Sequence, residues 1–257
     1  MYRPTFTTKS NGVPVLSKED IEAIGENFML DFCPDALKNP QQFDVERFME
    51  VYLGLNVDYQ YLSNDGRYLG MMVFNDTDKV IVFDPENNRA EYIHADARTV
   101  LIDNTLLAQN QEHRYRYTAV HECGHDIFHW GYYSYNPDQL SFFDRTEEEP
   151  MVQCRDMRIR GKSALWGDTE WMEWQSNFFS SVMLMPKKAV LKLHKGKKGG
   201  TISNTLAAMS LVSRTSQVFN VSPEAAKYRL EHLGILRPGC LSSDISFLGN
   251  GSIIFSE

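Results

Sequence analysis

The sequence predicts an α+β protein in which two packing helices precede a small, mostly antiparallel sheet, a histidine-bearing helix and a helical C-terminal subdomain. Three observations predict it. Apolar residues recur at helical spacing between 18 and 53, short runs rich in β-branched and aromatic residues occupy 68–103, and helical periodicity returns from about 113. The 257 residues, 42% hydrophobic and 23% charged, suffice for one large core or one core with an appendage. We expect a core over 1–190 and a helical subdomain with tail over 191–257.

Each element has a local reason. Ile21, Ile24, Phe28 and Phe32, then Phe43, Phe48 and Val51, give two helices broken by Pro34 and Pro40. Strands are expected at Tyr68–Phe74, Lys79–Asp84, Arg89–His94 and Thr99–Asp103, with a turn at Pro85-Glu86-Asn87-Asn88. A helix is expected over about His113–Trp130, an irregular stretch over 132–168, a long helix over Asp168–Leu184 stopping at Pro186, and two short helices within 203–236. No run of 18 apolar residues and no secretory leader pattern occurs, so the reading is cytoplasmic, with no membrane partner. Cys33, Cys123, Cys154 and Cys240 are scattered and read as reduced thiols.

The chemistry is concentrated in His121-Glu122-Cys123-Gly124-His125, an HExxH pattern inside the expected helix. Histidines four residues apart sit about 6 Å apart along one helix face, so both imidazoles can reach one ion. Glu122 is turned about 100° away, out of contact with the ion but in reach of a water beside it, where a general base belongs. His129, two turns on, lies about 12 Å from His121 along a straight helix. That is too far to share a zinc with both other histidines, so we assign it a holding or packing role. Cys123 points away from His121 and reads as a buried thiol. Tyr117, Val120, Gly124 and Ile127 form an apolar stripe beside the histidines, and Gly124 marks a place where another segment passes close.

A catalytic zinc needs a third protein ligand and an open position. Asp168, Glu170 and Glu173 are the candidates, and spacing alone leaves all three open. Packing favours Glu173, which shares a face with Asn177 on a helix that Phe178, Phe179 and Val182–Met185 would bury.

The residues from Tyr117 to His129, read with Glu173-Trp-Gln-Ser-Asn-Phe-Phe-Ser-Ser-Val-Met-Leu-Met-Pro186, resemble the FTxxHExGHxxLH and ExxANxFAxxLLMP motifs of the ImmA/IrrE family of metallo-endopeptidases. Weaker similarity runs through Leu69-Gly70, Thr99–Asp103 and Phe219–Gly234, so the resemblance covers roughly 18–236. It implies a zincin-like core, one Zn2+ per chain held by His121, His125 and Glu173, and Glu122 as general base. It also implies cleavage of a regulatory protein, a repressor of a mobile element or stress response, here a separately encoded helix-turn-helix protein. Ser176 stands where alanine is usual, Ser180-Ser181 replaces a small apolar pair, and Met183 replaces a leucine. An insert over Asn136–Trp166, with Asp144, Glu147, Glu148 and Glu149, separates the two motifs. The substrate is expected to lie extended along a sheet edge. For the oxyanion partner, His129, Tyr132 and Tyr133 are near in sequence and nothing separates them from packing residues.

The net charge of −8 argues against a general nucleic-acid binder but hides an asymmetry. Residues 187–237 hold ten lysines and arginines against Glu224 and Glu231, a net +8, leaving −16 for the rest. The tail's Phe219-Asn-Val-Ser-Pro-Glu-Ala-Ala resembles the turn of a helix-turn-helix, yet its apolar residues suffice to pack it. We read a basic face for a protein partner, or a solvated surface, ahead of DNA. The rival to an enzyme is a metal-stabilised regulator that sequesters a repressor without cutting it.

Overall fold

A computed structural model describes residues 1–134, 151–155 (backbone only), 166–194, 201–241 and 245. The acidic residues of the insert (Asp144, Glu147, Glu148 and Glu149) and Lys195, Lys197 and Lys198 of the basic tail lie outside the described residues. The architecture is mixed α+β with small sheets. It divides into two units, one of residues 1, 3–21 and 45–180, the other of residues 2, 22–44 and 181–257.

The first unit is built on a four-stranded sheet of order β1-β5-β2-β6. Its strands are β1 (Asn56–Gln60), β2 (Tyr68–Val73), β5 (Thr99–Asp103) and β6 (Met151–Arg155). β1 runs parallel to β5, whereas β5 and β6 flank β2 antiparallel. The expected single, mostly antiparallel sheet of four strands is thus corrected in its membership. The hairpin of β3 (Thr77–Asp84) and β4 (Arg89–Ala95), joined by the expected Pro85–Asn88 turn, forms its own two-stranded sheet, and β1 and β6 take its place beside β2 and β5.

Alternation along β2 gives the sheet two different faces. Met71 and Val73, with Leu101 of β5, join Val80, Val82 and Ala95 of the hairpin in one buried apolar cluster. Gly70, on the opposite face, meets helix α3 (Glu112–Tyr133). Arg98 clamps that helix to the sheet. It donates Nε to Asp126 Oδ1 at 3.0 Å and Nη2 to Asp126 Oδ2 at 2.9 Å and to the Leu53 carbonyl at 3.0 Å. A two-pronged, charge-assisted grip of this kind fixes orientation as well as distance.

Helix α4 (Asp168–Leu184) follows the sequence expectation and contributes residues up to Ser180 to this unit. Phe128 of α3 meets Phe179 edge-on at 5.2 Å and Phe6 at 5.8 Å, contacts worth about 0.5–1.5 kcal/mol each beyond area burial. Between the helices, a Cβ placed on Gly124 would lie 3.1 Å from the Ser176 α-carbon and from its Oγ, so α3 and α4 touch backbone to backbone. The close passage expected from Gly124 is therefore Ser176, a position where only a small side chain fits.

The second unit holds most of α1 (Lys18–Phe32), α2 (Pro34–Lys38), the end of α4, α5 (Lys187–Leu193), α6 (Thr205–Phe219) and α7 (Pro223–His232). Ser222 caps α7 through a bond to the Ala225 N–H, with Pro223 at the first position, and Phe219, Val221, Ala226 and Leu230 are buried. Two cations of the +8 segment are interior here. Lys227 donates to the Leu241 carbonyl, and Arg229 donates to the Met185 carbonyl and grips both oxygens of Glu22. Lys188 pairs with Glu26. These three are committed within the unit, so the basic face is narrower than the charge count implied. Among the described residues, no helix is long and apolar enough to cross a membrane.

Candidate metal centre

The centre lies where α3 and α4 face each other. On α3, residues 118–125 are all buried, so the motif is interior, not part of a surface helix. His121, His125 and Glu173 come together, with ligand-capable atoms all within 4.8 Å of one another, and could hold a metal ion. His121 Nε2 is 3.3 Å from Glu173 Oε2, His125 Nε2 is 3.4 Å from Glu173 Oε1, and the two Nε2 atoms are 2.9 Å apart. A tetrahedron with metal–ligand distances of about 2.0–2.1 Å has edges of about 3.3–3.4 Å, so the carboxylate is already spaced as such a site needs.

The hydrogen-bond network assigns the protons. Gln175 donates Nε2 to the Pro14 carbonyl at 3.0 Å, which turns its Oε1 toward His129. His129 donates Nε2–H to that oxygen at 3.0 Å, leaving a lone pair on Nδ1. This lone pair accepts a hydrogen bond from His125 Nδ1–H at 2.9 Å, so the lone pair of His125 is on Nε2. His121 is set likewise, since its Nδ1 faces Asn177 Oδ1 at 3.2 Å and donates to it. Tyr117 donates its hydroxyl to the Asn177 carbonyl at 3.0 Å, holding that residue in place. Two bare Nε2 lone pairs and a carboxylate therefore converge with no proton between them. Such an arrangement is repulsive unless a cation occupies its centre.

Burial and the neighbouring groups set the direction in which these groups titrate. Burial lowers the pKa of His125 and pushes that of His129 well below the ordinary imidazole range, with His125 adding to the effect on His129. Burial raises the Glu173 carboxyl, but the facing imidazoles of His125 and His121 outweigh it and hold the group well below the usual carboxylate range. Neutral imidazoles beside an ionised carboxylate are the donor set of a divalent-metal site.

Of the other candidates, Asp168 is turned to Lys9 and Asn11, and Glu170 accepts from the Gly167 N–H. The choice of Glu173 on packing grounds agrees with the geometry. His129 hydrogen-bonds His125 and Gln175, and Cys123 is a buried thiol whose pKa burial pushes well above its ordinary value. Tyr133 stacks on Phe74 with ring centroids 4.9 Å apart. Glu122 is fully buried and is not one of the three converging groups. Its carboxylate faces β2, where a Cβ on Gly70 would come within 2.5 Å of Oε1. Gly70 thus makes room for Glu122.

Sequence reasoning missed Gln175. The available signal was a polar residue on a buried stripe, since Met172, Gln175, Ser176 and Phe179 all lie on the inner face of α4 and a buried amide must find partners. Ser176 is the exception, for its Oγ has no hydrogen-bond partner among the described residues.

No protein-family model matches the chain, and no curated protein matches it.

Proposed function

We propose that this chain is a zinc-dependent endopeptidase of the ImmA/IrrE type, with a zincin-like core, that cleaves a separately encoded helix-turn-helix repressor. The observation that carries the reading is the convergence of three acceptors, His121 Nε2, His125 Nε2 and the Glu173 carboxylate, with both imidazoles oriented by hydrogen bonds from Nδ1 to neighbouring residues. The motif residues supply the second half of the argument, because a metal site that served structure alone would not need Glu122 next to it.

His121, His125 and Glu173 would hold the ion. When bound, zinc supplies Lewis acidity toward a scissile carbonyl and toward water. The chain's own residues do the rest. Glu122 takes a proton from the attacking water and returns it to the leaving amine, the role a carboxylate fills beside such a site. The buried surroundings of α3 exclude bulk water and strengthen each of these interactions. The His129–Gln175 pair keeps the His125 lone pair aimed at the centre.

The test is Glu122→Gln. It should retain metal and fold while losing cleavage of the repressor by at least about 100-fold, the lower end of general-base contributions. Mass spectrometry of the mixed proteins, with and without a chelator, reads the outcome. Regulation that persists in cells carrying Glu122→Gln would instead favour a regulator that binds its partner without cutting it.

A further inference from the structure

A peptide that binds as an added strand needs a sheet edge with unpaired N–H and C=O groups. The strand that abuts the proposed general base is β2, since the space left by Gly70 is filled by the Glu122 carboxylate. Yet β2 has no open edge among the described strands. β5 takes one side and β6 the other. The β6 register sets Arg155 opposite Tyr68, Cys154 opposite Gly70, Gln153 opposite Met71, Val152 opposite Met72 and Met151 opposite Val73, so this segment passes the Glu122 position antiparallel to β2.

β6 differs from the rest of its sheet. β1, β2 and β5 all precede α3, whereas β6 comes from the stretch between α3 and α4 that separates the two motifs. Without it the sheet would be β1-β5-β2, with β2 as a free edge beside Glu122. β6 is five residues long, has one strand neighbour, and its pairing is irregular between Tyr68 and Gly70. A short strand with a hydrogen-bonded partner on one side only is the part of a sheet that opens at least cost. Replacing it by another extended peptide exchanges one ladder of backbone bonds for an equivalent one.

We propose that β2 is the peptide-binding strand of this site and that β6 is the chain's own occupant of it, an autoinhibitory strand that a substrate must displace. This rests on the peptidase reading. It adds a substrate requirement, a segment that can become extended over about five residues, and a resting state in which the site is closed to peptides. Regulation would act on the β2–β6 pairing and leave the metal centre untouched.

The experiment uses the full, zinc-loaded chain carrying Glu122→Gln, so that binding is read without cleavage. The probe is a labelled synthetic peptide of residues 149–157. Val152→Pro and Gln153→Pro are made separately, because neighbouring residues alternate in facing the partner strand and one of the two must remove a ladder N–H. The peptide should bind that variant at least tenfold more tightly than the parent, and hydrogen exchange at the amides of Tyr68–Val73 should speed up in the variant and slow again with peptide. A second variant, Met72→Cys with Val152→Cys in a Cys154→Ser background, links the register partners. Its oxidised form should refuse the peptide and its reduced form accept it. Equal binding by parent and proline variants, with unchanged exchange in β2, overturns the proposal, as does peptide binding by the oxidised form. Binding that is lost on releasing β6 would place the peptide on the outer edge of β6 and also overturn it. With Glu122 restored, casein should be cut at least fivefold faster by the proline variant. Peptide binding that follows the expected pattern, with neither casein nor the repressor cut by any form, defeats the peptidase reading alone. Casein cut equally by all forms, with peptide binding unchanged, defeats the autoinhibitory strand alone.

Discussion

Gln175 and Pro14 stand 161 positions apart in the chain, and the 3.0 Å bond between the side-chain amide of one and the carbonyl of the other decides which nitrogen of His125 carries a proton. The Gln175 oxygen is thereby presented to His129, and His129 in turn accepts from His125. Gln175→Leu breaks this relay at its root and touches no ligand. We expect metal affinity to fall about 10–100-fold, measured by competition with a chelator of known affinity. Stability should also fall, by about 1–3 kcal/mol for each buried polar group left unpaired. Unchanged affinity would show that α3 packing alone orients His125.

Zinc content should be one per chain. Glu173→Ala or His125→Ala should abolish it, because two protein ligands hold the ion too weakly. In the intact chain, free zinc at 100 times its Kd should add about 2.7 kcal/mol of stability, visible as a rise in unfolding temperature that both variants lose. Full zinc occupancy in Glu173→Ala would transfer the ligand role to Glu170 or Asp168, although Asp168 is engaged by Lys9 and Asn11.

Gly70→Ala tests the seat of Glu122. A methyl group there meets the Glu122 carboxylate at 2.5 Å and the Thr118 methyl at 2.7 Å, distances that force the carboxylate to move. Zinc content should stay at one per chain while cleavage drops by at least about tenfold, because general-base efficiency depends on hydrogen-bond-range placement. Loss of zinc together with activity would mean that the substitution displaces α3 as a whole.

The pH dependence of the metal-free protein follows from the buried imidazoles. His125 and His129 have folded pKa values below the ordinary 6.5, so between those values and 6.5 the unfolded chain binds more protons than the folded one. Stability therefore rises with pH through this window and levels off above about 6.5. Glu173, held below its ordinary 4.5, acts in the same direction but only at lower pH. Thermal unfolding between pH 5 and 7.5 isolates the histidines. Its midpoint should fall on acidification, and His129→Gln should flatten the slope.

Much of this was legible in the residues because helix geometry is local. The four-residue spacing of His121 and His125 sets both on one face whatever the rest of the chain does, and α4 ends where Pro186 forbids its continuation. The sheet was harder. Asn56-Val-Asp-Tyr-Gln60 carries two residues poor in β propensity, Asn56 and Asp58, and becomes a strand through its parallel partner β5, a relationship that no local pattern encodes. Met151–Arg155 sits in a stretch that looked irregular and owes its strand to β2. The orientation of His125 was also out of reach, since it depends on Pro14 and Gln175, residues brought together only by the completed fold.

The same separation has a consequence for biosynthesis. His121 and His125 leave the ribosome well before Glu173, which follows the second histidine by 48 positions. At about 5–20 residues per second, roughly 2–10 s of synthesis passes in which a nascent chain presents two imidazoles and no third ligand. Zinc meeting the growing polypeptide would find at best a weak, two-pronged hold, released as readily as it is gained. Hydrolytic competence would then arrive in one step, late in translation, when α4 emerges and docks. An unfinished or truncated product lacking α4 would be unable to cut the proteins around it.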